Sequence, residues 1–123
     1  MVFVTADSCR AQLGRLTQIL IIAFPGSTIY QHTDPTRVPH DVLSHKVDAV
    51  LLEAEQTNAL DLMQKLRRQK PDLPVYILSK TNRLYEKAVA AGASGYFVLP
   101  EREEQLLHAL RLLNSKEPVL TSP

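Results

Sequence analysis

The sequence predicts an α/β fold, a parallel sheet of five strands with helices on both faces. Three observations carry this. Short runs such as Val50-Leu51-Leu52 and Val75-Tyr76-Ile77-Leu78 are continuously apolar rather than alternating, as strands buried on both faces are. Between them lie segments whose apolar residues recur three and four apart, the spacing of a helix with one buried face. The connections are short. Strand–helix alternation of this kind builds a sheet covered on both sides, and right-handed crossovers leave it few topologies.

Val2-Phe3-Val4 is the first strand. Ser8 is an expected N-cap, and Cys9, Leu13, Leu16, Leu20 and Ala23 continue at helical spacing until Pro25-Gly26 closes the helix. Thr28-Ile29-Tyr30 is rich in β-formers. Asp34-Pro35 suits an N-cap with proline in the first turn, opening a weak helix through Val38, Val42 and Leu43 to about His45. Val47 to Glu53 forms the third strand, with Glu53 at its carboxyl end. Leu60, Leu62, Met63 and Leu66 mark the next helix, ending in Arg67-Arg68-Gln69-Lys70 before Pro71. Basic residues in a last turn complement the helix dipole. Pro74 precedes the fourth strand, Val75 to Leu78. Thr81 is an expected cap for a helix with Leu84, Ala88 and Ala91, which Gly92 ends. Tyr96-Phe97-Val98 is the fifth strand, and Leu106, Leu107, Leu110 and Leu113 stripe the last helix. Residues 1–114 form the domain, and 115–123, polar and proline-bearing, read as a linker or tail.

Composition excludes several classes. At 123 residues, 45% apolar and 22% charged, the chain is one domain with enough apolar residues for a core. A net charge of +1 makes no electrostatic case for nucleic acid or an anionic membrane as the main partner. Cys9 alone cannot form an internal disulfide and is expected to be buried as a small apolar residue. The longest apolar stretch, Ile19 to Phe24, is too short to span a bilayer. No basic-then-apolar leader opens the chain, so a cytoplasmic location is expected. His32, His40, His45 and His108 show no zinc spacing, and no glycine-rich phosphate loop or nucleophile elbow is present. Arg67 to Lys70 has no interleaved aromatics, so it is expected to be a solvated helix end.

Three segments resemble the receiver domain of bacterial two-component response regulators. Val-Asp-Ala-Val-Leu-Leu-Glu, residues 47–53, resembles the strand ending in the phosphoacceptor aspartate. Asp72 to Ser79 resembles the strand ending in the switch Thr or Ser. Ala91-Gly92-Ala93-Ser94-Gly95-Tyr96-Phe97-Val98-Leu99-Pro100 resembles the AGAxGYLxKP segment and is the most specific of the three. The resemblance covers about residues 1–114. Glu117 to Pro123 is faintly similar to the segment joining some receivers to a helix-turn-helix output domain. The resemblance implies a flavodoxin-like, CheY-like three-layer sandwich with strand order 2-1-3-4-5 and five helices.

The resemblance also implies a site, and here the sequence departs from the family. Receivers hold Mg²⁺ on two adjacent acids, phosphorylate an aspartate, and neutralise the transferring group with the metal and a lysine. The acid pair is Ala6-Asp7, the acceptor position is Glu53, the hydroxyl is kept as Ser79, and the lysine position is Leu99 before Pro100. The peptide bond before that proline is expected to be cis. Tyr96 stands at the switch aromatic. The loops after Glu53 and Ser79 are each about two residues shorter than usual. Glutamate is one methylene too long for a pocket shaped to aspartate. No catalytic residue is therefore assigned, and Glu53 is an inactive acceptor equivalent. Asp7, Ser79, Leu99 and Pro100 are remnants of the pocket, with Leu99 turned into it. No metal or cofactor is expected; Asp7 and Glu53, with a backbone carbonyl near Glu55, are the only candidates for a weak Mg²⁺ site. Lys80 could reach the pocket or stay solvated.

The implied function is that of a pseudo-receiver, a non-enzymatic regulatory domain in signalling or transcription regulation. It would contact a protein partner or a second copy through the fourth helix, fifth strand and fifth helix. That face would carry Arg83, Tyr85, Lys87, Tyr96, Arg102 and Arg111. No membrane and no direct nucleic-acid contact is expected, DNA being reached only through an output domain. Two other readings stay open: a phosphorylatable receiver with an atypical pocket, and a regulatory module that binds a small ligand there.

Overall fold

The computed structural model describes residues 1–55 and 58–114. The linker expected at 115–123 lies outside the described residues. Five strands, β1 (Val2–Ala6), β2 (Thr28–His32), β3 (Ala49–Glu53), β4 (Val75–Ser79) and β5 (Gly95–Val98), form one sheet in the order β2-β1-β3-β4-β5. Every pairing is parallel. Helices α1 (Arg10–Ala23), α2 (Val38–Ser44), α3 (Ala59–Gln69) and α4 (Tyr85–Ala90) make the crossovers, and α5 (Glu103–Asn114) follows the last strand.

The two-residue period of the strands divides the core into two layers. Val4, Val50, Leu52, Val75 and Ile77 face α2, α3 and α4, packing with Val42, Met63, Leu66 and Ala88. Phe3, Ala49, Leu51, Tyr76 and Leu78 face the other way, packing with Leu16, Leu20, Leu106 and Leu110 of α1 and α5. The central strands are buried on both faces, which is why they are almost continuously apolar, with Thr5 and Ser79 as buried polar exceptions. Gly26 and Gly92 adopt φ of +84° and +100°, conformations that favour glycine, and both follow helices as expected.

Several local expectations change. Ser8 does not cap α1; Cys9 occupies the cap position in an extended conformation with no side-chain cap bond. Cys9 is exposed rather than buried, because it precedes the first turn and so lies off the apolar stripe. Asp34 caps as expected, its carboxylate accepting from the Thr36 N–H at 3.0 Å, but what it opens is a 3₁₀ turn, Pro35–Arg37, that runs into α2. Thr81 does not begin α4. The helix starts at Tyr85 and has only six residues, because residues 80–84 form an irregular loop from the end of β4.

Candidate functional site

Parallel register brings the carboxyl ends of four strands to one edge. Ala6 pairs with Leu52 and Glu53 with Leu78, so Asp7, Glu53 and Ser79 follow one another along the carboxyl ends of β1, β3 and β4. Leu99 joins them through its N–H, which donates to the Ser79 carbonyl at 2.9 Å. The edge opens into a cavity of about 320 Å³ that extends between α1 and α5. Asp7, Glu53, Glu55, Ser79, Lys80, Leu99 and Pro100 line it at the sheet edge. All the pocket residues expected from the sequence are therefore brought together, and the Leu99–Pro100 bond is cis. Leu99 packs with the apolar layer of α1 and α5, so the position where receivers carry a cation here carries hydrocarbon.

The carboxyl groups are already engaged. One oxygen of Glu53, Oε1, accepts from both the N–H and the Oγ–H of Ser8 at 2.9 Å. Asp7 Oδ1 accepts from the Cys9 N–H at 2.8 Å, an Asx turn that leads into α1. The Asp7 carboxyl is pushed up to about 6, first by burial and then by the charge and hydrogen bonding of Glu53, against the lowering effects of the Cys9 N–H and Lys80.

The side chain of Glu55 is the site residue that sequence reasoning missed. Its Oε2 accepts a hydrogen bond from the Ser79 hydroxyl, which is almost fully buried. The hydroxyl that holds a phosphoryl oxygen in a receiver is thus held by the chain's own carboxylate. Two acidic residues bracketing Ala54 were visible in the sequence, but not which of them would reach across to β4. From Ser79 the bonding continues outward. Ser79 Oγ accepts from the Thr81 N–H at 3.2 Å, and the Thr81 carbonyl accepts from the Tyr96 hydroxyl at 2.6 Å. The Tyr96 ring meets Tyr85 edge-on, centroids 5.7 Å apart. Tyr96 is therefore hydrogen-bonded to the loop before α4 and half-buried.

Receiver chemistry would require Mg²⁺, and the residues here do not fit it. Ala6 removes one acid, Asp7 accepts from the Cys9 N–H, Glu53 from Ser8, and Glu55 is committed to Ser79. Among the described residues no group of three His, Cys, Asp or Glu is placed to hold a metal.

Arg83, Tyr85 and Lys87 are exposed around the start of α4 beside a shallow hollow, and Arg102, just before α5, and Arg111, on it, are exposed. A second cluster went unread in the sequence. His32 at the end of β2 hydrogen-bonds the buried carboxylate of Asp41 on α2, and His45 stacks on Tyr30 with centroids 4.4 Å apart. These histidines pin α2 to the edge strand.

Solved structures share this architecture. A receiver domain of a DNA-binding response regulator from Colwellia psychrerythraea 34H superposes with a TM-score of 0.84 at 18% identity, covering 94% of this chain and 99% of that one. The fold is that of receiver domains. A receiver domain of an HD domain-containing protein from Pseudomonas fluorescens Pf-5 matches with a TM-score of 0.76 at 26% identity, covering 91% of this chain and 85% of that one. A LuxR family DNA-binding response regulator from Silicibacter pomeroyi gives 0.77 at 24%, covering 92% and 90%. No protein-family model and no curated protein sequence matches the chain. No helix among the described residues is long and apolar enough to cross a membrane.

Proposed function

We propose that this receiver fold serves as a pseudo-receiver: a cytoplasmic regulatory domain in signalling that works by protein–protein contact and takes no phosphoryl group. The observation that carries this is the Glu55–Ser79 hydrogen bond, which occupies the hydroxyl a phosphoryl group would need. Glu53 at the acceptor position and Leu99 at the cation position add to it. A misplacement of 1 Å costs an in-line reaction roughly 10²-fold, and loss of a charge-stabilising donor costs about 10²-fold or more again. On this reading the domain catalyses nothing and requires no cofactor. Its partner is a protein or a second copy, met at the surface of α4, β5 and α5, where Arg83, Tyr85, Lys87, Tyr96, Arg102 and Arg111 supply charge and aromatic area. Contact with DNA would belong to an output domain joined through residues 115–123.

The test is incubation with acetyl phosphate and Mg²⁺, read by intact mass. No stable mass gain is expected. A stable gain of one phosphoryl group, lost in Glu53→Gln, would overturn the proposal.

A further inference from the structure

We propose that the cavity between the sheet edge, α1 and α5 binds a small organic amine, its cationic head on Asp7 and Glu53 and its hydrocarbon chain against Leu16, Ile19 and Leu99. This rests on the reading above, since the same carboxyl groups would otherwise serve phosphoryl chemistry. The cavity is about 320 Å³ and has two unlike ends. Apolar walls with a few convergent polar groups are the usual anatomy of a small-molecule site. At the sheet edge stand the carboxyl groups of Asp7, Glu53 and Glu55. Along α1 run Leu16 and Ile19, and Leu99 carries the apolar wall to the sheet edge.

Charge selects the head group. Arg15 also lines the cavity, but its guanidinium is tied to Glu103 of α5 at 2.9 Å. That leaves three carboxyl groups facing one ammonium, Lys80, so a cation is favoured over an anion. The elevated proton affinity of Asp7 has the same origin in part, because Glu53 lies beside it. A cation between them relieves that repulsion.

Shape selects the tail. Gln12, Leu16 and Ile19 lie on one stripe of α1 and all face the cavity. Seven residues of helix rise about 10 Å, a length that accommodates an extended aliphatic chain of about six carbons. A hydrated divalent ion would leave this apolar length unused. An alkylamine covers it, gaining about fourfold in affinity per methylene.

The test is calorimetric titration of the full chain at neutral pH with n-hexylamine, n-butylamine, hexan-1-ol and hexanoate. Hexylamine is expected to bind one-to-one, roughly fifteenfold tighter than butylamine and at least about tenfold tighter than hexanol, with hexanoate weaker still. Glu53→Gln keeps an acceptor oxygen for Ser8 while removing the charge, and Leu99→Lys puts a cation at the sheet edge. Each should weaken hexylamine by about tenfold or more. Hexanol binding as tightly as hexylamine would overturn the proposal, as would hexylamine binding that neither variant weakens, or no saturable binding. Phosphoryl labelling of Glu53 would refute the preceding reading instead, and mass spectrometry registers it independently of the amine titration.

Discussion

Replacing Asp7 by Asn should change how stability depends on pH. The folded carboxyl titrates at about 6 against 3.8 when unperturbed, chiefly because it is buried beside Glu53. A folded-state value raised above the unfolded one favours folding only while the group is protonated. That contribution is complete below about pH 4 and is lost as pH rises through about 6. Each tenfold in proton affinity is about 1.4 kcal/mol, so the loss is roughly 3 kcal/mol at face value. Screening by water at a partly exposed carboxyl reduces it to about 1–2 kcal/mol. Asparagine keeps the oxygen that accepts from the Cys9 N–H and never ionises. The variant should therefore match the parent near pH 4 and exceed it by about 1–2 kcal/mol near pH 8. Urea denaturation followed by circular dichroism across this range measures the difference. A stability difference that stays constant within about 0.5 kcal/mol from pH 4 to pH 8 would refute the reasoning.

Two further substitutions test the packing. Gly14 lies on the exposed face of α1 with open space where a Cβ would go, so Gly14→Ala should raise stability by about 0.5–1 kcal/mol, read from the urea midpoint. A Cβ at Gly95 would come within 2.9 Å of Phe97 and 3.0 Å of Tyr76, so Gly95→Ala should cost about 1–3 kcal/mol in the same assay. No loss at Gly95 would mean that the two rings shift freely.

Much of the site was legible because it lies at the ends of strands. Once Val50 to Leu52 and Val75 to Leu78 read as buried strands, Glu53 and Ser79 fell at their carboxyl edges, where open parallel sheets carry their sites. Leu99 before Pro100 was placed by the resemblance of residues 91–100, and its side chain does line the cavity. Local signals fared less well where two residues competed for one role. Ser8 had the chemistry of a cap, but its hydroxyl and N–H go to Glu53, 45 positions away. Thr81 likewise gave up helix initiation to the loop that carries the Tyr96 bond.

The sequence by itself determined the layered α/β architecture, because strand burial and helical amphipathicity are written in patterns of two and of three to four residues. It also determined which groups the pocket lacks, since Ala6 and Leu99 cannot supply a carboxylate or a cation. Only the tertiary structure decided what the remaining groups do. Glu55 reaches Ser79 across 24 positions, burial and Glu53 push the Asp7 carboxyl up to about 6, and His32 holds Asp41. These are pairings of flexible polar side chains. Their partners are set by which chain ends the parallel register brings side by side, and spacing along the chain carries no record of that.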